Sequence, residues 1–210
     1  MPELPEVETI ARMLKPQLEG RTIRSTCLLW KRTLASPSPR VFTSRIVGQK
    51  ILSVGRRAKF LHIRLSRDHL FVHLRMSGDL WVKRTGYQPA KHDRLIINLS
   101  GNKSLIFNDT RKFGRVWLTD DPGLVIGALG PEPFDPEFTP RILYSRLQAH
   151  RRQIKPLLLD QTFLAGMGNI YTDEALHLSG IHPQTESDKI SLKKADKLFH
   201  AIRAVLDAGI

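Results

Sequence analysis

Hydrophobic residues recur along this chain with two different periods, and the change from one to the other divides it. After Pro5, the residues Val7, Ile10, Ala11 and Leu14 return at helical spacing. A proline in the first turn suits a helix start, because the N–H it lacks has no partner there. From Arg21 the period shortens. The runs Arg21 to Trp30, Arg45 to Val54, Lys59 to Leu65, Leu70 to Met76, Leu80 to Val82, Leu95 to Leu99 and Leu105 to Phe107 read as short strands separated by polar or turn residues. Lys59, Leu61, Ile63 and Leu65 share one parity, as do Leu70, Val72, Leu74 and Met76, and Leu95, Ile97 and Leu99, so each run has one apolar face. Ser100 to Lys103 has the composition of a hairpin turn. The expected architecture of this half is a β-sandwich or barrel preceded by one helix.

The proline-rich stretch Gly130 to Pro136, with Pro140 just beyond, interrupts regular structure. After it the helical period returns. Ile142, Leu143 and Leu147 fit one helix, Lys155 to Leu159 a short second, and Asn169 to Gly180 a third that ends on a glycine suited to the C′ position. A fourth follows Ser191, a good N-cap, with Ala195, Leu198, Ile202 and Val205 on one face. The reading is an α+β protein: an N-terminal β domain over residues 1–130, a linker over 131–140 and a helical domain over 141–210. No internal repeat or low-complexity tract is present.

Charge adds a partner class. The 210 residues hold 33 Lys and Arg against 20 Asp and Glu, a net charge of +13, which points to a polyanion, nucleic acid first. No run approaches the roughly 20 apolar residues of a membrane span, and no secretory signal pattern opens the chain, so a cytoplasmic protein without a membrane partner is expected. A single cysteine, Cys27, excludes an internal disulfide and a multi-cysteine zinc site among these residues.

The first eight residues, Met1-Pro2-Glu3-Leu4-Pro5-Glu6-Val7-Glu8, carry candidate chemistry. An initiator methionine before a small residue is normally trimmed, which leaves Pro2 as a terminal secondary amine. Such an amine can attack an electrophilic carbon and collapse to a cationic iminium, the Schiff-base form of covalent catalysis. α-Amino groups titrate at roughly 7.7 to 8.0, and the positive end of the following helix opposes protonation, whereas Glu3, Glu6 and Glu8 favour it. Glu3 is placed to carry a proton. Read alone, the stretch is better taken as a helix start with acids complementing the dipole.

Four later segments agree with the amino terminus: Arg56-Arg57-Ala58-Lys59-Phe60, His73-Leu74-Arg75-Met76-Ser77-Gly78, Asn108-Asp109-Thr110-Arg111-Lys112-Phe113-Gly114 and Gly166-Met167-Gly168-Asn169-Ile170-Tyr171. With Pro2 to Glu6, in this order and spacing, they resemble the formamidopyrimidine-DNA glycosylase family, whose relatives include endonuclease VIII-type enzymes. The resemblance runs along nearly the whole chain. It implies an N-terminal β-sandwich followed by a helical domain with a helix-two-turn-helix element, and a bifunctional glycosylase and abasic-site lyase that excises oxidised purines, such as 8-oxoguanine and formamidopyrimidines, and cuts the strand by β/δ-elimination.

By the same resemblance, Pro2 is the nucleophile at C1′ of the damaged nucleoside, Glu3 its acid/base partner, and Lys59 a phosphate contact beside the lesion. Arg56 and Arg57 add phosphate contacts. Met76, Arg111 and Phe113 match the residues that fill the gap left by an everted nucleotide, and their closeness to Gly78 and Gly114 suggests loop tips. Lys155 and Asn169 fall where the family's helix-two-turn-helix element grips phosphate, the second with a helix N-terminus behind it; Asn169 reads equally well as an ordinary N-cap, His73 as a phosphate contact or a structural strand histidine, and Tyr171 as either core or lesion-pocket lining. The implied partner is double-stranded damaged DNA, bound by a monomer. Neither metal nor organic cofactor is expected in this chain: the family's structural zinc belongs to a C-terminal finger that, with a lesion-capping loop, is expected to be missing from these residues. Two other readings remain, a non-catalytic damaged-DNA-binding module and a tautomerase using an amino-terminal proline as base; the second needs neither the basic surplus nor the later segments.

Overall fold

The computed structural model describes all residues from Met1 to Ile210, which form two units. One comprises Met1–Pro2 and Val7–Gly127, the other Glu3–Glu6 and Ala128–Ile210. The first helix, α1 (Leu4–Leu18), therefore gives its opening turn to the second unit and the rest to the first. No helix is long and apolar enough to cross a membrane.

The first unit continues through β1 (Ile23–Leu28), β2 (Leu34–Ser36), α2 (Pro39–Ile46), β3 (Ile51–Arg57), β4 (Phe60–Leu65), β5 (His69–His73), β6 (Gly78–Arg84), β7 (Asp93–Leu99), β8 (Lys103–Asp109), β9 (Arg115–Thr119) and a short α3 (Gly123–Ile126). Its strands form a four-stranded sheet ordered β1-β7-β8-β6 and a five-stranded sheet ordered β2-β9-β5-β4-β3. The inner faces share one core. Leu80, Leu95, Ile97, Leu99, Leu105 and Phe107 from one sheet meet Leu61, Ile63, Leu65, Leu70, Val72, Val116 and Leu118 from the other, joined by Val7, Ala11, Leu14 and Leu18 of α1. The period-two pattern drives this arrangement, because the residues that enter this core alternate along a strand, as Leu95, Ile97 and Leu99 do on β7 and Leu61, Ile63 and Leu65 on β4.

Three parts of the chain differ from their sequence pattern. Arg45 to Val54 is not one strand: Ile46 ends α2, Gly48 turns at φ +83°, and pairing resumes at Ile51. The helix has its own signal, Pro39 at the first position and buried Phe42 and Ile46 one turn apart. Met76 lies beyond the end of β5 and is exposed, because Arg75 at φ +57° leaves the strand conformation. Strands β2 and β9, which pair in parallel, have no counterpart among the expected runs.

The second unit contains α4 (Pro140–Gln148), α5 (Ile154–Leu159), α6 (Asn169–Ser179) and α7 (Leu192–Ala208). Thr139 caps α4 by accepting the N–H of Ile142, and Ser191 caps α7 by accepting that of Lys194. Gly180 ends α6 at φ +68°, and Ile181 N–H returns to Leu176 O, a left-handed helix stop that glycine makes without strain. Leu143, Leu147, Leu157, Leu158, Leu176, Leu198 and Ile202 build the core, and Leu4 of α1 belongs to it.

Candidate functional site

In the second unit the amino-terminal segment meets the start of α6. Leu4 N–H donates to Gly166 O at 3.2 Å, which sets residue 3 beside the loop that opens the helix. Glu3 is 3% exposed, and its Oε1 accepts the N–H of Ile170 at 3.1 Å. The bond satisfies a helix-terminal amide that has no partner within the helix. The Glu3 Oε2 is buried and accepts no hydrogen bond. Glycine is required twice here. A Cβ on Gly168 would overlap the Glu3 carboxylate, and one on Gly166, whose φ is +104°, would overlap the Leu4 side chain. Gln161 fixes this loop by accepting Gly166 N–H and donating to Leu159 O and Met167 O, each at 2.9 Å.

Glu6 connects both sides of the same junction. Its Oε2 accepts the backbone N–H of Glu3 at 2.8 Å, the N3-to-N-cap half of a capping box, and its Oε1 accepts the Tyr171 hydroxyl at 2.8 Å. Burial first, then the bond to Glu6, pushes the Tyr171 hydroxyl well above the usual phenol range, so it remains a donor at neutral pH. The half-buried Tyr171 is therefore neither plain core nor an open pocket wall.

In the first unit Lys59 sits in the two-residue turn joining β3 to β4, where Arg57 pairs with Phe60 and Ala58 takes φ +53°. Its side chain keeps the inward parity of Leu61 and Ile63 and is 6% exposed. His73 is held down to about 3, first by burial and then by the positive charges of Arg75 and Lys59. The ring is neutral, and Nδ1 accepts the Arg75 N–H at 3.0 Å, which leaves the proton on Nε2. A basic site with a neutral imidazole N–H donor results. Arg56 pairs through Nε with Glu8 Oε2 at 2.8 Å, so part of its charge is already met inside the unit.

Met76 and Phe113 are both exposed, at 45% and 49%, although both are large and apolar. The Arg111 guanidinium stands over the Phe113 ring at 5.0 Å, and the Lys112 ammonium over Trp30 at 4.3 Å. As expected, Met76 lies in the turn between β5 and β6, and Arg111 and Phe113 lie in the loop between β8 and β9. Gly78 and Gly114, which follow them, are buried, and a Cβ on either would press against Phe107, so they allow these segments to lie close on the sandwich core. Within their own units the structure thus brings Lys59 to His73, gathers Arg111 with Phe113, and seats Glu3 beside the Gly168-Asn169 junction.

Asn169 is exposed and occupies the first helical position, while Gly168 is the N-cap. Lys155 is paired with Asp173 at 2.7 Å across α5 and α6. Glu6 and Asp109 carry no role in the residue pattern, which gives Gly166 and Gly168 only the task of letting backbone amides approach a DNA strand. The reciprocal Glu at the third helical position was a readable signal for Glu6; the Gly168 contact with Glu3 and the Asp109 bond to Ser77 depend on partners remote in sequence. No group of three or more His, Cys, Asp or Glu side chains is arranged to hold a metal ion.

Comparison with known proteins matches this geometry to a family. A model of the formamidopyrimidine-DNA glycosylase N-terminal domain matches residues 1–116, and one of the formamidopyrimidine-DNA glycosylase H2TH domain matches residues 129–210. Formamidopyrimidine-DNA glycosylase of Chloroflexus aurantiacus is 49% identical over the whole of this chain, which covers 77% of that protein, and that of Pelotomaculum thermopropionicum is 44% identical with 78% covered. The crystal structure of the Lactococcus lactis enzyme, bound non-covalently to DNA containing an AP site, superposes with a TM-score of 0.92 at 33% identity, over 100% of this chain and 82% of that one. A structure of MutM with DNA containing carbocyclic 8-oxo-G gives 0.92 at 32% identity, over 99% and 79%. With both domains matched and relatives this similar along its whole length, this chain belongs to the formamidopyrimidine-DNA glycosylase family.

Proposed function

We propose that this chain is a base-excision repair glycosylase with abasic-site lyase activity, acting as a monomer on oxidised purines in duplex DNA. The observation that carries the reading is the seat of Glu3: buried, pinned by the α6 N-terminus through one oxygen, with the other oxygen accepting no hydrogen bond, one peptide bond from Pro2.

With Met1 removed, the Pro2 nitrogen forms a bond to C1′ as the bond from C1′ to the damaged base breaks. Glu3 supplies a proton to O4′ as the sugar ring opens, and the nitrogen lone pair collapses to an iminium. The iminium acidifies the C2′ hydrogen. Loss of that proton expels the 3′-phosphate, a second elimination expels the 5′-phosphate, and water hydrolyses the remaining Schiff base. Each step moves only protons and electron pairs, so the reading needs no metal or organic cofactor.

Lys59 and the neutral His73 serve phosphates beside the lesion, and Lys155 and the amides around Asn169 serve phosphates nearby. Met76, Arg111 and Phe113 occupy the space of the everted nucleotide; their exposure supports that role, since apolar side chains held out of a core are available to stack. The test is single-turnover excision on a duplex with one 8-oxoguanine. Base release by the wild type and its loss in Pro2→Gly, with duplex binding much less affected, is expected; unchanged excision by Pro2→Gly overturns the assigned nucleophile.

A further inference from the structure

The two segments carrying the proposed wedge residues are joined by one buried acid. Asp109 is 1% exposed. Its Oδ1 accepts the Ser77 hydroxyl at 2.5 Å and the Arg111 N–H at 3.1 Å, and its Oδ2 accepts the Gly114 N–H at 2.7 Å. Ser77 Oγ in turn accepts the Arg111 N–H at 3.1 Å. The backbone of Asp109 is engaged as well: its carbonyl accepts from Nε of buried Arg94 at 2.7 Å, and its N–H donates to His92 O at 2.9 Å. Ser77 follows Met76 directly, and Arg111 and Gly114 bracket Phe113. A single carboxylate thus fixes both segments at once.

These bonds oppose a real tendency to disorder. Arg75 and Lys112, each next to a wedge residue, hold φ at +57° and +62°, a conformation that costs free energy in non-glycine residues and persists only where the surroundings enforce it. Met76 and Phe113 have no buried apolar seat of their own. The β6–β8 ladder ends at Gly78 and Asp109, and beyond that pair the bridge is what relates Met76 to Phe113. A wedge that enters a base stack must match one gap, and ordering it beforehand lowers the entropy lost on entry.

We propose that Asp109, acting through Ser77, is a positioning residue that sets Met76 and Phe113 at one mutual spacing before DNA is engaged. The proposal rests on the glycosylase reading for its consequence, but the tie itself is measurable without DNA. Amide exchange of Arg111 and Gly114 in the free protein is expected to be slow in the wild type and in Ser77→Thr, and faster in Ser77→Ala and Asp109→Asn. Unchanged exchange in both of the latter overturns the proposal, whatever the activity.

The consequence is read by comparing substrates. Loss of one hydrogen bond to a charged group is expected to slow excision of a paired lesion roughly tenfold in Ser77→Ala. Cleavage of a preformed abasic site should slow far less, and Ser77→Thr should recover excision. Equal slowing on both substrates would mean a general structural role and overturns the positioning claim. A wild type that excises nothing defeats the glycosylase reading alone, and the exchange result then decides the tie.

Discussion

The proposed chemistry turns on Glu3, whose two carboxylate oxygens differ in surroundings: Oε1 accepts the Ile170 N–H at the helix terminus, while Oε2 is buried without a hydrogen-bond partner, and the proposal gives Oε2 the proton exchange. Glu3→Gln keeps an acceptor for Ile170 N–H and removes the acid, so the fold should persist while excision falls by about 10²-fold or more; single-turnover rates alongside a thermal melt check this, and a matching loss of stability would contradict it. His73 makes a pH-linked prediction. Its pKa is lowered from 6.5 to about 3 by burial and by Arg75 and Lys59, so the unfolded chain binds the proton more readily than the folded one. Its contribution is whole above about pH 6.5 and declines as pH falls towards 3, and stability therefore rises with pH across that window. His73→Gln should flatten this part of the melting-temperature profile; an unaltered slope would contradict it. In the sequence, Pro2 and Glu3 stand out as candidate chemistry only together with the four later segments, because by themselves they read as an ordinary helix start. What holds Glu3 was not legible, since its partner is 167 positions away.

Among the elements, α6 concentrates the constraints. Its cap is Gly168, where any side chain would collide with the Glu3 carboxylate, so Gly168→Ala should cost about 1–3 kcal/mol of stability and reduce excision by displacing the acid; a thermal melt and the excision assay together check it. The ion pair from Lys155 to Asp173 joins α5 to α6 with both side chains partly exposed, and pairs of that kind contribute little to stability. Lys155→Ala should therefore leave the melt nearly unchanged while weakening duplex binding and lowering the salt slope by about one. An unchanged slope would remove Lys155 from the phosphate contacts. The helical caps at Ser191 and Gly180 and the inward parity of β4 were readable, because each follows from a local rule. The split of Arg45 to Val54 into α2 and β3 was not read from its apolar residues, since these occur in both elements; the distinguishing signals were Pro39 before and Gly48 within. The three residues of β2 are too few to show a period, and β9 shares its start with the Arg111 to Gly114 segment.

For the whole molecule, the net charge of +13 and the two matched domains favour a duplex-DNA partner whose binding weakens steeply with salt. The change of hydrophobic period separates strand-rich residues from helical ones, but it gives no sign that Glu3–Glu6 group with the helical unit, because the periodicity of α1 is continuous through that turn. The central claim is that the amino-terminal proline is the covalent nucleophile. Its most direct measurement is borohydride reduction of the protein with lesion-containing duplex, followed by mass mapping of the adduct. The account predicts a trapped DNA adduct on the peptide beginning at Pro2; an adduct on a lysine, or none with an actively excising protein, would contradict it.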